Sequence, residues 1–232
     1  PGYAEVRLGT PLSTIINGIG GGAVHGKLKA VQTGGITGGF VPEENWDVLY
    51  DYETLQKAGT DFGSVLHACP ENTCIIFRTM HALEEIRDEA CGRCSSCRIG
   101  IPQMIKLMEY IVNNNSERQD LITLKDLANT VRDSSMCKLG QNASMVVLAS
   151  MNDYPKEYEA HLRGKCPGGN CPDMVQYRVD PERCTACGKC QVVCPVTAIF
   201  EADEEKRMIE SSICIRCGYC YNVCDDNAIY YQ

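Results

Sequence analysis

A four-cysteine motif occurs twice in the last quarter of this chain, and it constrains the fold more than any other feature. Each copy has the spacing C-x2-C-x2-C-x3-C, and an Ala-Ile pair follows each copy. The two copies are Cys184, Cys187, Cys190 and Cys194, then Cys214, Cys217, Cys220 and Cys224. Because every position recurs at the same offset, the repeat indicates one structural unit used twice.

This spacing is typical of proteins that hold two [4Fe–4S] clusters. Three closely spaced thiolates wrap one corner of a cluster, and the fourth cysteine of each motif reaches the other cluster. The predicted ligand sets are Cys184, Cys187, Cys190 and Cys224 for one cluster, and Cys214, Cys217, Cys220 and Cys194 for the other. Two all-cysteine zinc sites are the alternative, but zinc favours separated C-x2-C pairs. Pro195 follows the first motif as in bacterial ferredoxins, whereas Asp225 follows the second.

A third C-x2-C-x2-C triplet lies upstream, at Cys91, Cys94 and Cys97. A cluster needs a fourth thiolate, and Cys137 is the nearest unassigned cysteine downstream of the triplet. The sequence therefore predicts a third [4Fe–4S] cluster held by these four residues. Three buried or zinc-bound cysteines are the alternative reading.

Four cysteines remain after these assignments. Cys166 and Cys171 enclose a Pro-Gly-Gly-Asn loop, and His161 lies five residues before it. Two thiolates and an imidazole are ligands that zinc prefers, and a fourth ligand, Cys69 or Cys74, would close a tetrahedral structural site. Free buried thiols and a fourth iron–sulfur cluster are the alternatives.

The composition supports intracellular iron–sulfur chemistry over a disulfide scaffold. The chain has 16 Cys in 232 residues, with no visible secretory signal, so a reducing, cytoplasmic location is expected. Its net charge of −8 argues against a nucleic-acid partner, which would need a basic face. No apolar run is long enough to predict a membrane span. Since the chain begins Pro1-Gly2 without Met, we expect it to be a fragment or a processed product.

Patterning along the chain predicts an α+β protein of several units. Residues 1–78 are rich in Gly and β-branched residues and predict a small β-rich domain with a linker, including strands at Ala4–Leu8 and Leu28–Gln32. Residues 79–160 have helical periodicity and predict a bundle, with Asp120 as one helix N-cap. Residues 161–174 form a hinge that carries the candidate zinc site, and residues 175–232 form the two-cluster unit.

The cysteine motifs and their neighbours resemble a known family. The stretch from Cys91 to Gly100, together with Cys137-Lys-Leu-Gly-Gln141, resembles the NADH-binding flavoprotein subunit of respiratory complex I and its soluble relatives. Those relatives are β subunits of NAD-linked, electron-bifurcating hydrogenases and formate dehydrogenases. The Gly-rich stretches near Gly22 and Gly39 look like the β-grasp domain, called SLBB, of that family. The soluble members carry a two-cluster ferredoxin domain after the helical bundle, as here.

The resemblance implies an electron relay that works inside an NADH-dependent oxidoreductase complex. It implies that single electrons pass between FMN and the clusters of partner subunits, with ferredoxin as a further candidate partner. The FMN- and NADH-binding domain of the family has no counterpart in this chain, so FMN and NAD(H) are expected in a missing upstream domain. The resemblance also favours Cys74 over Cys69 as the fourth zinc ligand.

Other functional classes remain to be separated from this interpretation. The chain could be a stand-alone ferredoxin-type carrier with a docking domain, or a structural scaffold stapled by zinc. We expect no catalytic acid, base or nucleophile, because neither paired carboxylates nor a Ser/His/Asp set stands out. The redox chemistry would belong to the clusters, while the protein supplies their position and electrostatic surroundings.

Overall fold

The computed structural model describes residues 2–24, 26–171, 173–202 and 206–231 of the chain, and within them helices mix with small antiparallel sheets. The helices are α1 Tyr52–Lys57, α2 Ile75–Glu89, α3 Ser95–Val112, α4 Arg118–Ser134, α5 Lys138–Asp153, α6 Pro155–His161, α7 Lys189–Val192 and α8 Tyr219–Val223. The strands are β1 Leu28–Gln32, β2 Phe40–Pro42, β3 His67–Pro70, β4 Tyr177–Val179, β5 Ile199–Glu201, β6 Arg207–Ile209 and β7 Ile229–Tyr231. The α+β class expected from the sequence is therefore observed.

The N-terminal part is built on a three-stranded antiparallel sheet with the order β2-β1-β3. Strand β1 coincides with the predicted strand. The strand predicted at Ala4–Leu8 is wrong, because this segment is irregular and only Val6 within it is half-buried. Val6 packs at the edge of the small core around Leu12 and Trp46, but the segment makes no strand pairing with the sheet.

Helices α2 to α6 pack against one another where the sequence predicts a bundle, and two of them start at other residues than expected. Helix α2 begins at Ile75, earlier than its periodicity predicts, and Cys74 is its N-cap. The sequence favours Asp120 as the cap of α4, but Glu117 is the N-cap and Asp120 lies three residues further along the chain, inside the helix. The backbone N–H of Glu117 donates to the Asp120 carboxylate at 2.7 Å, which forms a reciprocal capping box.

The duplication is visible in the backbone of the predicted two-cluster unit, residues 175–232, which we call the two-cluster region. Gly188 and Gly218 have φ values of 75° and 74°, and Ala186 and Arg216 share a φ of 58°. L-residues rarely adopt positive φ, so the same unusual turn is built twice at equivalent positions. The two halves also exchange strands, because β4 pairs with β7 and β5 pairs with β6.

One hydrophobic core joins the bundle to the two-cluster region. It runs from Met104 and Leu83 in the bundle through Cys171 to Tyr177 and Ile229. The bundle and the two-cluster region therefore share one hydrophobic core. Among the residues that the structure describes, no helix is both long and apolar enough to cross a membrane.

Candidate metal and cluster sites

The two-cluster region contains two equivalent cavities lined by cysteines. Both are small and partly open to solvent. The first cavity is lined by Cys184, Cys187, Cys190 and Cys224, and the second by Cys194, Cys214, Cys217 and Cys220. Each cavity thus gathers three cysteines from one copy of the motif and the fourth from the other copy.

The fourth cysteine of each cavity is held by a backbone hydrogen bond. The N–H of Ala228 donates to Cys224 Sγ at 3.3 Å, and the N–H of Ala198 donates to Cys194 Sγ at the same distance. Such bonds stabilise a charged sulfur in preference to a neutral thiol. The Ala-Ile pairs that follow each motif in the sequence therefore orient the exchanged cysteines.

Burial makes thiolates in these cavities dependent on a cation. Burial raises the pKa of Cys220 to about 12, and the neighbouring sulfurs of Cys217 and Cys214 contribute to that rise. Burial likewise raises the pKa of Cys190. In each cavity four cysteines converge, and burial makes the thiol of one of them harder to ionise. This arrangement fits a group that supplies compensating positive iron, so the residues present suit [4Fe–4S] clusters.

The upstream triplet and Cys137 also come together. The pKa of the Cys97 thiol is raised by burial and by the charges of Cys137, Cys94 and Cys91, so the other three sulfurs lie close enough to Cys97 to influence it. Gly140 packs closely here, because an added Cβ would lie 2.8 Å from the Ser135 side chain, and it would contact Cys97 Sγ at 3.5 Å.

Two long helices begin at this third site. Cys94 is the N-cap of α3 and Cys137 is the N-cap of α5, and neither side chain accepts a capping hydrogen bond. Their sulfurs therefore stay available as ligands. The positive ends of both helix dipoles point at the site and favour the negative charge of a thiolate-bound cluster.

Four buried residues form a separate, much tighter group, which we call the tetrad: Cys74, His161, Cys166 and Cys171. Their ligand atoms all lie within 4.8 Å of one another. His161 Nε2 lies 3.3 Å from both Cys74 Sγ and Cys171 Sγ, and those two sulfurs are 3.6 Å apart. Ligands around one zinc ion lie roughly 3.5–3.8 Å from one another, so the tetrad fits a single tetrahedral ion.

The imidazole of His161 is oriented for a metal. Its Nδ1 donates to the backbone carbonyl of Glu157 at 2.7 Å, which leaves the lone pair of Nε2 facing the sulfurs. Hydrogen bonds from Cys171 and Cys74 hold the pKa of Cys166 below its ordinary value, whereas burial raises the pKa of Cys74. Three sulfurs thus meet in a buried position, an arrangement that a bound cation would complete.

The tetrad excludes Cys69, the other candidate for the fourth ligand. Cys69 lies on β3 and is fully buried in the small core that includes Phe40 and Val146, where burial raises its pKa to about 11. Cys74 reaches the tetrad because it caps α2, whose first turn faces α6. The loop between Cys166 and Cys171, which we call the glycine loop, allows this approach. A side chain at Gly168 would prevent it, because a Cβ there would lie 2.2 Å from the backbone nitrogen of Cys74.

Sequence reasoning missed the residues that hold the tetrad in place. Glu157 accepts the N–H of Ile75 at 3.1 Å and pairs with Lys29 Nζ at 2.7 Å. Lys29 also donates to the carbonyl of Thr73 at 2.6 Å. The Asn170 side chain accepts the N–H of Cys74 at 2.7 Å. These partners come from β1, α6 and the glycine loop, and no local pattern signals such a combination.

We expect the substitution Lys29→Met to destabilise the fold by about 3 kcal/mol, because it leaves a buried carboxylate without its cation. The side chains of Lys29 and Glu157 are only 18% and 10% exposed. Urea unfolding of anaerobic protein measures the change. The matched control is Arg163→Met, which breaks an exposed pair with Glu159 on α6 and should change little. Equal effects of the two substitutions would contradict the structural role of Lys29.

Comparison with known proteins finds two iron–sulfur domains in the chain. Residues 78–161 match the model of the NADH-ubiquinone oxidoreductase-F iron-sulfur binding region, and residues 176–225 match a 4Fe-4S dicluster domain. The NADP-reducing hydrogenase subunit HndC of Solidesulfovibrio fructosivorans is 38% identical over 201 residues, 85% of this chain and 41% of that protein. The NADH-quinone oxidoreductase F subunit of Streptomyces coelicolor is 31% identical over 169 residues, 72% of this chain and 38% of that protein.

A solved structure shares the fold. The crystal structure of an NAD⁺-reducing [NiFe]-hydrogenase in the H₂-reduced state matches with a TM-score of 0.61 at 23% identity, and the match covers 68% of this chain and 26% of that one. At this identity the match shows the fold alone. The chain spans about two fifths of the length of these two curated relatives.

The fold and the cysteine sites define an iron–sulfur protein. More particularly, the chain carries an NADH-ubiquinone oxidoreductase-F iron-sulfur binding region together with a 4Fe-4S dicluster domain, and it is similar to HndC and to the F subunits of NADH-quinone oxidoreductases. The resemblance noted in the sequence is thereby confirmed.

Proposed function

We propose that this chain relays single electrons through three [4Fe–4S] clusters, as part of an NAD(H)-linked flavin and iron–sulfur oxidoreductase of the hydrogenase or formate dehydrogenase type. The observation that carries the proposal is the convergence of twelve cysteines into three groups of four. The two domain matches fall on the same groups. Each cluster supplies one-electron redox chemistry when bound.

Helix α2 separates the proposed third cluster site from the two-cluster region. Cys91 follows the C-terminal end of α2, whereas Cys74 in the tetrad caps its N-terminal end. The helix has 15 residues and is therefore roughly 22 Å long. The second cavity lies near the N-terminal end of α2, where the tetrad is. The side chain of Asn72, just before α2, packs against Gly218, which lines that cavity. The third site and the two-cluster region thus occupy opposite ends of α2.

The tetrad is proposed to hold one structural zinc ion between the bundle and the two-cluster region. Beyond its ligands, Asn170 donates to the carbonyl of Arg216 at 3.1 Å, and Tyr231 donates to that of Pro167 at 2.9 Å. Both bonds tie the loop of the tetrad to the second half of the two-cluster region. A metal here would fix the position of the cavities relative to the bundle.

FMN and NAD(H) are proposed to bind a domain outside this chain, and the partners are proposed to be other iron–sulfur or flavin subunits, or ferredoxin. NADH gives up a hydride, whereas clusters accept single electrons, so a flavin must stand between them. HndC is named as part of an NADP-reducing hydrogenase, and the Streptomyces relative as part of an NADH-quinone oxidoreductase, so both relatives belong to multi-subunit enzymes.

The proposal predicts about twelve iron and twelve sulfide per chain in anaerobically purified protein. With the clusters intact, the dithionite-reduced chain should pass electrons to a viologen dye. With NADH as the only reductant, dye reduction should require an added FMN-binding domain of a relative, because the hydride needs a flavin acceptor. The measurements are iron and sulfide analysis and the rate of dye reduction.

Two results would contradict the proposal. Iron near four per chain would remove two of the three clusters. Steady NADH-driven dye reduction by the chain alone would show that the flavin is not needed. A chain with twelve iron that no flavin domain can reduce would favour a stand-alone ferredoxin-type carrier, and zinc as the dominant metal would favour a structural scaffold.

A further inference from the structure

The two cavities are equivalent by the thirty-residue repeat, but the residues that line them differ in chemistry. The ligands, the glycines and the apolar floor are matched: Ile229 and Ala228 in the first cavity correspond to Ile199 and Ala198 in the second. Three other pairs change from polar or charged in the first cavity to apolar or neutral in the second: Thr185 and Ile215, Asp226 and Val196, Arg207 and Tyr177.

Arg207 is the least exposed charged residue of this set. Its side chain is only 12% exposed. Its Nη2 lies 3.5 Å from the carbonyl oxygen of Ala186, within the ligand loop of the first cavity. Its Nε is buried and has no hydrogen-bond partner among the described residues. The guanidinium therefore has donor capacity, within the described part of the chain, at a position that lines the cavity.

We infer that Arg207 raises the reduction potential of the cluster in the first cavity above that of the cluster in the second. This inference rests on the proposed function, since it requires clusters in both cavities. Reduction adds one electron, and hence one negative charge, inside the cavity. A buried positive charge stabilises that added charge, because the surrounding dielectric constant is low. Hydrogen bonds and charge near the sulfurs are recognised determinants of cluster potential.

The other charged groups near the first cavity are exposed and weaken one another. Lys189 pairs with Asp225, and their side chains are 54% and 76% exposed. Asp226 is exposed and accepts a hydrogen bond from Thr185 at 2.6 Å. Glu201 lies 3.2 Å from Arg207 Nη1 but is 61% exposed. Water and salt screen these charges far more than they screen the buried guanidinium.

The second cavity has no equivalent charge among the described residues of its lining. Tyr177 occupies the position that corresponds to Arg207, and it is 2% exposed and neutral. Arg216 is nearby, but its guanidinium donates to the carbonyls of Val175 and Cys214 and does not line the cavity. An electron shared by the two clusters would therefore reside mainly on the cluster in the first cavity. One residue of that cavity, Cys187, is exposed and accessible to a partner.

The test is an EPR-monitored redox titration of the full anaerobic chain. In Arg207→Gln, one cluster should become about tenfold harder to reduce, a shift of about −59 mV for a one-electron couple. Arg207→Lys keeps the charge and should recover most of the wild-type potential. The matched control is Arg178→Gln, which removes an exposed arginine next to Tyr177 and should shift no cluster.

A milder variant gives a shift of the opposite sign. Glu201→Gln removes the exposed carboxylate that partly neutralises Arg207, so the same cluster should become easier to reduce. If Arg207→Gln loses its cluster, this variant still decides the question. Unchanged potentials in both variants, or an equal shift in Arg178→Gln, would overturn the inference. Iron analysis distinguishes failure of this inference from failure of the proposed function. Wild-type protein with much less than twelve iron per chain would contradict the proposed function and not the role of Arg207.

Discussion

Replacing two tetrad ligands, in the double variant Cys166→Ser/Cys171→Ser, should remove one zinc ion per chain and strongly destabilise the fold. Structural zinc sites contribute about 10–16 kcal/mol of apparent binding free energy in small zinc-binding peptides. If a third of that range, about 4 kcal/mol, is lost here, the melting temperature should fall by roughly 8–16 °C. Metal analysis and thermal unfolding of anaerobic protein measure both effects.

The matched control for this experiment is Cys69→Ser. Cys69 is as buried as the tetrad sulfurs, but it lies outside the tetrad. We expect this variant to keep its zinc, although a hydroxyl in an apolar site will cost some stability. Wild-type protein without zinc would favour free buried thiols. About sixteen iron per chain would favour a fourth cluster at the tetrad, although atoms within 4.8 Å of one another leave little room for four irons.

The tetrad also shows where sequence reasoning reaches its limit. The loop from Cys166 to Cys171 is local, so its ligand character is readable from spacing alone. The fourth ligand depends on which distant cysteine packs against α6, and Cys69 and Cys74 are only five residues apart. They separate because Cys69 lies on β3 while Cys74 starts α2. That choice is made by tertiary packing, which spacing cannot encode.

The two-cluster region is more predictable because its information is short-range and repeated. An offset of thirty residues gives the equivalence of the cavities directly, and the motif indicates which cysteine is exchanged between them. The chemical difference between the cavities is not evident from the motifs. Arg207 lies on β6 between them, and only strand pairing brings it into the first cavity. The β-grasp assignment of the N-terminal part remains a prediction.

The exchange of cysteines between the two halves predicts an unusual pattern of cluster loss. Cys194 belongs to the first motif in the sequence, but it lines the second cavity with Cys214. Cys194→Ser should therefore alter the EPR signature of the same cluster that Cys214→Ser alters, with the loss of up to about four iron per chain. Cys184→Ser and Cys224→Ser should together define the other cluster.

These four variants distinguish exchanged ligands from the alternative in which each motif holds its own cluster, because the two arrangements predict different pairs of variants with the same EPR change. If each motif held its own cluster, Cys194→Ser and Cys184→Ser would alter one common signature and leave the other unchanged. The geometry opposes that pairing, since the N–H of Ala198 turns the Cys194 sulfur toward the second cavity and the N–H of Ala228 turns Cys224 toward the first. Each cluster thus ties the two halves together, so the loss of either exchanged cysteine should also loosen the region. Faster proteolysis between the motifs in Cys194→Ser than in the matched Arg178→Gln variant would reveal that loosening.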